Sequence, residues 1–353
     1  MSVGNRDINS SSPTAMTMAK MDPFTHDVIF IDGLWGTGKS VLAPILSGMR
    51  GVEKFIPDPA FEYLCILHHL KRLDLDSAVA MIQTYSDIDQ YHNLIGRGVN
   101  LRWSDDSGAA NNPGTLRYLR RLFDGTEGDS VVERINRDNL ALNIMSHILL
   151  QVAGPLFEAF GDRLKLIEMV RHPAYLVQHW HAYLSRFAGP REFTVSFDCG
   201  GHKVPWFAAS WSDEYLGLSV TDRVLASLVR LYDWLFSVID ETDRRRLLVV
   251  SFENTAFSPG PMLGQLETFL GRAHHPRVGR ILRAQKLPRR RIMQGKGHAA
   301  YGWHLSLEAS EREEYDALLA FVRESGTARY IDPFTALITD YNRRWPSLLN
   351  EFE

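Results

Sequence analysis

One junction constrains this chain more than any other. The β-type run Val28-Ile29-Phe30-Ile31-Asp32 leads directly into Gly33-Leu34-Trp35-Gly36-Thr37-Gly38-Lys39-Ser40. The second stretch fits Gly-x-x-x-x-Gly-Lys-[Ser/Thr] without a mismatch and follows a strand, as a phosphate-binding loop must. Gly33, Gly36 and Gly38 permit backbone angles closed to other residues and clear side chains from the path of a polyphosphate. Main-chain N–H groups, that of Thr37 among them, can then point inward, joined by the unpaired amides and positive dipole end of the following helix. Lys39 is expected to reach the outer phosphates, and Ser40 to hold a Mg2+ ion where the donor is a nucleoside triphosphate. The fold class that follows is α/β, a P-loop three-layer sandwich with a central, mostly parallel sheet and helical inserts.

With 353 residues and 45% hydrophobic content the chain can build a large core, and no low-complexity stretch divides it. Residues 1–25 are expected to be a disordered leader, since they lack the continuous apolar core of a signal peptide. Residues 26–353 then form a single P-loop transferase domain with inserts near 77–125 and 188–221. A net charge of −3 speaks against nucleic acid as a partner. No apolar run reaches the roughly 18 residues that span a bilayer, so no membrane partner is expected. Two distant cysteines, Cys65 and Cys199, suit a reducing compartment, and a cytoplasmic location is expected. Nothing in the sequence fixes the number of subunits.

Along the chain, residues 52–57 read as a second strand, with Asp58 and Glu62 just beyond its carboxyl end, where an open parallel sheet places its crevice. Both are candidate general bases. In the first insert Arg117, Arg120 and Arg121 form a basic stripe, expected to be a solvated helix face or, alternatively, a clamp on a donor phosphate. Residues 130–134 read as a third strand delivering Arg134, Asn136, Arg137 and Asp138 to the crevice. Leu164–Val170 is the next strand, and it puts Arg171 where strand meets helix. The helix after it is core, with Leu176, Trp180, Tyr183, Leu184 and Phe187 at helical spacing. The second insert is expected to wall the acceptor site. A long helix with Val224, Leu228, Leu231 and Leu235 on one face precedes a fifth strand at 246–254 and a helix at 262–270. The basic run Arg289-Arg290-Arg291 and the loop Gln294-Gly295-Lys296-Gly297 suit a second phosphate group, and 311–352 reads as surface helices.

Three of these segments carry a resemblance. Val170-Arg171-His172-Pro173 before an aromatic helix resembles the part of the sulfotransferase family where an arginine binds the 3′-phosphate of phosphoadenosine phosphosulfate. Val250-Ser251-Phe252-Glu253-Asn254, with the helix ending Phe269-Leu270-Gly271, is similar to that family's late strand and helix. Arg291 through Gly297 resembles its closing Arg-Lys-Gly loop, which reaches the same phosphate. The resemblance covers most of residues 26–300. It implies a sulfuryl transferase acting on a small-molecule acceptor. Lys39 and Ser40 would face the donor's 5′ side, Arg171, Arg291 and Gly297 its 3′-phosphate, and Asp58 or Glu62 would be the base. The loop departs from the family in carrying Gly36 where a basic residue is usual and Lys39 where a threonine is usual, and His179 replaces the serine that follows the arginine.

The complete Gly-Lys-Ser is similar instead to small-molecule kinases of the deoxyribonucleoside kinase type. That resemblance implies ATP with Mg2+ in the cradle, the same carboxylates as base, and Arg134 on the transferring phosphoryl. A non-catalytic nucleotide-binding module is the third alternative.

Overall fold

The structure is a computed structural model and describes residues 16–112, 114–187, 189–190, 192–294, 309–347 and 349–350. In chain order, β1 (Val28–Asp32) feeds the glycine-rich loop and α1 (Lys39–Leu46), followed by α2 (Ala60–His69) and α3 (Leu75–Leu94). Then follow α4 (Thr115–Arg121) and α5 (Asp129–Asp138). Next come β2 (Leu142–Met145), α6 (Gly154–Phe160), β3 (Leu164–Val170) and α7 (Val177–Leu184). The second insert is the hairpin β4 (Ser196–Cys199) and β5 (His202–Pro205) with α8 (Ser212–Gly217), leading into α9 (Val220–Glu241). Then follow β6 (Leu247–Ser251), α10 (Phe252–Phe257), α11 (Pro259–Leu270), α12 (Val278–Ala284), α13 (Glu311–Ser325) and α14 (Ala328–Arg344).

The main sheet is parallel, in the order β2–β1–β3–β6. All five residues of β1 are buried, because helices cover both faces of a parallel sheet, and this is why the strand reads as a continuous apolar run. Its central position brings the ends of β2, β3 and β6 around the glycine-rich loop. There they deliver His147, Arg171 and the Ser251–Phe252 corner.

Several expectations need correction. Residues 52–56 do lie along β2, with parallel bridges Val52–Ala141 and Ile56–Ile144. They form no continuous strand, because Lys54 N donates to the Tyr118 hydroxyl at 2.7 Å and Phe55 N to Ser47 Oγ at 3.0 Å, and both are thereby withdrawn from the ladder. Residues 130–134 are helical: Val131 and Ile135, one turn apart, pack on Leu94, and the strand at this point of the fold is Leu142–Met145. Arg134 pairs with Asp124 and Arg137 with Asp138 on an exposed face, so neither belongs to the crevice.

Arg121 is neither solvated nor a clamp. It is buried against Glu53 through two bonds of 2.9 and 2.7 Å, with the Tyr118 hydroxyl on the same carboxylate. Residues 16–25 are tied down, since Phe24 N donates to Asp87 and Arg163 donates to Phe24 O. The C-terminal helices are not superficial either. Tyr315, Leu318, Phe334 and Tyr341 join the main core, and these helices pack on α7, α9 and the turn after β3. Among the described residues no helix is long and apolar enough to cross a membrane.

Candidate active site

The loop's conformation is set by close contacts that exclude side chains. Gly38 has φ 100°, and a Cβ there would lie 2.3 Å from the Phe252 ring; at Gly33, with φ 149°, it would lie 2.4 Å from the Met169 carbonyl oxygen. A branched side chain at either place forces the loop and the ends of β3 and β6 apart. Thr37 steadies the turn by donating its hydroxyl to Leu34 O at 2.9 Å. Trp180 Nε1 donates to Trp35 O at 2.9 Å, and the Trp35 ring stacks on Tyr183 at 4.2 Å, so α7 holds the loop from outside. Ser40 is exposed in the first turn of α1.

Lys39 is buried and donates to Gly33 O at 2.7 Å and Leu34 O at 2.8 Å. Burial pulls its ammonium down to about 8, against the charges of Asp32, Glu168 and Glu62. Asp32 is held in place by three hydrogen bonds: Oδ2 accepts the N–H groups of Leu149 and Leu150 at 2.7 Å each, and Oδ1 the Ser146 hydroxyl at 3.1 Å. Its register partner on β3 is Glu168, which burial and the Asp32 charge push well above the usual carboxylate range. Two carboxyls this close disfavour each other's charged form. The lysine thus rests on the loop's own carbonyls and must rotate to meet an anion in the cradle.

Glu62, in the first turn of α2, faces the same lysine. Burial, with Asp32 nearby, raises its carboxyl to about 8. His147 Nδ1 lies 3.1 Å from Glu62 Oε1. Burial and the Lys39 cation lower the His147 pKa, which keeps the imidazole neutral, while 38% of its side-chain surface stays exposed. His179 of α7 packs against Gly36 and is likewise neutral, its pKa lowered by burial and Arg171. Asp58 is used differently: its Oδ1 accepts Ala60 N at 2.8 Å at the head of α2, and its charge helps raise the buried Asp89 to about 7. His147 was not singled out from sequence because the strand that delivers it was missed. The polar residues Ser146-His147 at the end of an apolar run were the available signal.

Arg171 Nη1 donates to Gly36 O at 2.8 Å and Nη2 to Met293 Sδ at 3.1 Å. Its guanidinium lies 4.5 Å from the Phe252 ring centroid, and that of Arg289 lies 5.2 Å from the same ring. Burial and the Arg171 charge pull Arg289 down to about 10. The Nε–H groups of both arginines are buried without an acceptor among the described residues. The turn after Arg171 is locked by Glu253, whose oxygens accept His172 N at 2.9 Å, Ser251 Oγ at 3.0 Å and the Tyr341 hydroxyl at 2.7 Å. Arg291, expected beside Arg171, instead donates to Ala309 O at 2.8 Å and Glu314 Oε1 at 2.9 Å. The run's partner for Arg171 is Arg289. Gly297 lies outside the described residues.

No family model and no curated protein matches this sequence. Among solved structures the chain is similar to a sulfotransferase domain from the curacin biosynthetic pathway, at 13% identity and a TM-score of 0.47, covering 90% of this chain and 98% of that one. It is also similar to a sulfotransferase domain of the Synechococcus olefin synthase, at 14% identity and a TM-score of 0.43, covering 94% and 100%. A sulfotransferase from Mycobacterium avium follows, at 12% identity and a TM-score of 0.41, covering 92% and 78%. At such identities the activity has to be read from this chain's own side chains.

Proposed function

We propose that this chain is a nucleotide-dependent group transferase that moves a sulfuryl group from phosphoadenosine phosphosulfate to a hydroxyl or amine of a small-molecule acceptor. The observation that carries this reading is the second cationic station. Arg171 and Arg289 share the Phe252 ring beside the loop but are separate from its amides. A nucleotide bearing only a 5′ phosphate chain is served by the loop alone, whereas one phosphorylated on both sides of its ribose needs two anion sites. The chemistry fits, because each arginine keeps a buried Nε–H without a partner among the described residues, and a phosphate supplies the acceptors that satisfy such donors.

In this reading the loop amides, Lys39 and the N-terminus of α1 hold the donor's 5′ side, and Arg171 and Arg289 its 3′-phosphate. When bound, the donor supplies a sulfuryl group already attached to a good leaving group. Lys39, rotated off Gly33 and Leu34, offsets the charge that builds on the bridging oxygen. The neutral His147 imidazole takes the proton of the attacking hydroxyl or amine, and Glu62 at Nδ1 orients the ring and stabilises the imidazolium.

The complete Gly-Lys-Ser sequence favours a second reading, phosphoryl transfer from ATP with Mg2+ held at Ser40. Thermal shift separates the two, since a ligand at about 100 times its Kd adds about 2.7 kcal/mol to the folded state. Adenosine 3′,5′-bisphosphate is expected to raise the melting temperature well above the effect of ATP with Mg2+. Stabilisation by ATP with Mg2+ alone overturns the sulfuryl reading in favour of the kinase.

A further inference from the structure

We propose that Glu311, the first residue of α13, is a positioning residue that fixes Arg171 and Arg289 with respect to each other. The proposal rests on the reading of that pair as an anion station. Two guanidinium groups on one ring repel, so their spacing has to be imposed by attachments elsewhere. Glu311 makes the attachment to both sides. Its Oε2 accepts Ile292 N at 2.8 Å, and Arg289 Nη1 donates to the Ile292 carbonyl at 3.1 Å. Its Oε1 accepts the Tyr175 hydroxyl, and the Tyr175 ring lies 5.8 Å from the Arg171 guanidinium.

Met293, next to Ile292, closes the circuit through its contact with Arg171 Nη2. A single carboxylate therefore joins the loop that carries Arg289 to the turn that carries Arg171. Arg291 strengthens the same join through Ala309 O and Glu314. Glutamine at position 311 keeps the size of the side chain but replaces one of its two acceptor oxygens by an NH2 group, so one of the two arms loses the charged acceptor it now has.

Calorimetric titration of the full chain and its Glu311→Gln variant tests this, with adenosine 3′,5′-bisphosphate and adenosine 5′-monophosphate as probes. The variant is expected to bind the bisphosphate about tenfold more weakly, the scale of one charge-assisted hydrogen bond, and the monophosphate within about twofold of the parent. In an Arg289→Ala background the same substitution is expected to cost less than in the parent, because only the arm toward Arg171 is left to lose. Tyr175→Phe, which removes the other arm without touching Ile292, is expected to give the same selective loss in smaller measure. Equal losses for both nucleotides, or losses that add in the double variant, overturn the proposal and leave Glu311 as plain structural support. Failure of the parent protein to bind the bisphosphate removes the anion station itself and the proposal with it. Binding that is indifferent to Glu311 removes the proposal alone.

Discussion

The glycine-rich loop and the arginine station both gather positive potential at the carboxyl end of one sheet, and they do so by opposite means. The loop uses backbone: consecutive residues, three glycines and one lysine that rests on Gly33 O and Leu34 O. The station uses side chains drawn from distant parts of the chain, set on the aromatic ring of Phe252 and held by carboxylates on α10 and α13. A backbone site is prepaid by the turn itself and tolerates almost no change of residue. A side-chain site depends on every element that carries it, so its failures are graded and can be relayed from afar.

The comparison breaks most sharply at Lys39. Lys39→Ala removes the cradle's only side-chain cation and is expected to lower kcat by about 10²–10³-fold, the scale of losing a preorganised charge at a developing anion. It should leave the melting temperature unchanged or raised, because it also removes a buried cation. Steady-state turnover beside a thermal melt checks both, and near-normal turnover would take Lys39 out of the chemistry.

In the proposed mechanism Glu62 and His147 supply the base. Glu62→Gln is expected to lower kcat/KM by about 10²-fold. It should also alter the pH profile, which for kcat/KM reports the free enzyme. With Glu62 raised to about 8, its carboxylate form accumulates only as pH climbs toward that value. Lys39, lowered to about 8, gives up its charge above it. The parent profile is therefore a narrow bell centred near pH 8, belonging to the pair rather than to either group. The variant should lose the acid limb. An unchanged limb assigns the base elsewhere.

Smaller effects sharpen the station. Arg289→Ala is expected to weaken adenosine 3′,5′-bisphosphate about 10–100-fold, and Arg291→Ala only a few-fold, because Arg291 is occupied with Ala309 O and Glu314. Calorimetry on the two variants decides it. The reverse ranking would restore Arg291 as the contact suggested by the sequence.

What the sequence disclosed follows the same division. The cradle was legible because its physics is local: a strand, glycines at fixed offsets and a lysine. The same holds for β3, the aromatic helix after it, and α11 with its closing Gly271 in the left-handed conformation. The position of Arg171 was legible because it follows directly on a strand. Arg289 could not be told from Arg291 by pattern, since which of the two meets Phe252 depends on how α13 docks. His147 was hidden behind a wrong choice of strand. The β-branched pair Val131-Val132 imitates a strand, although Val131 and Ile135 share a helix face. The burial of α13 and α14 was missed because charged residues on their outer faces dominate the composition of those segments.

The two carboxylates read as equal candidates differ most finely, and their contrast is the smallest effect expected. Asp58→Asn keeps an acceptor for Ala60 N and removes a charge beside Asp89, which burial and that charge raise to about 7. A carboxyl whose folded pKa lies above its unfolded one costs stability once pH exceeds the unfolded value, and the full cost is reached above the folded value. Relief of that cost should therefore appear as a gain of stability above about pH 7 that fades toward pH 4. It should stay under about 1 kcal/mol, because burial rather than Asp58 is the main cause of the shift. Activity should stay within about twofold of the parent, against the hundredfold loss for Glu62→Gln. A denaturant titration at pH 5 and pH 8 with parallel rates measures both. A large loss of turnover in Asp58→Asn would mean that the base is drawn from the head of α2 and not from the Glu62–His147 pair.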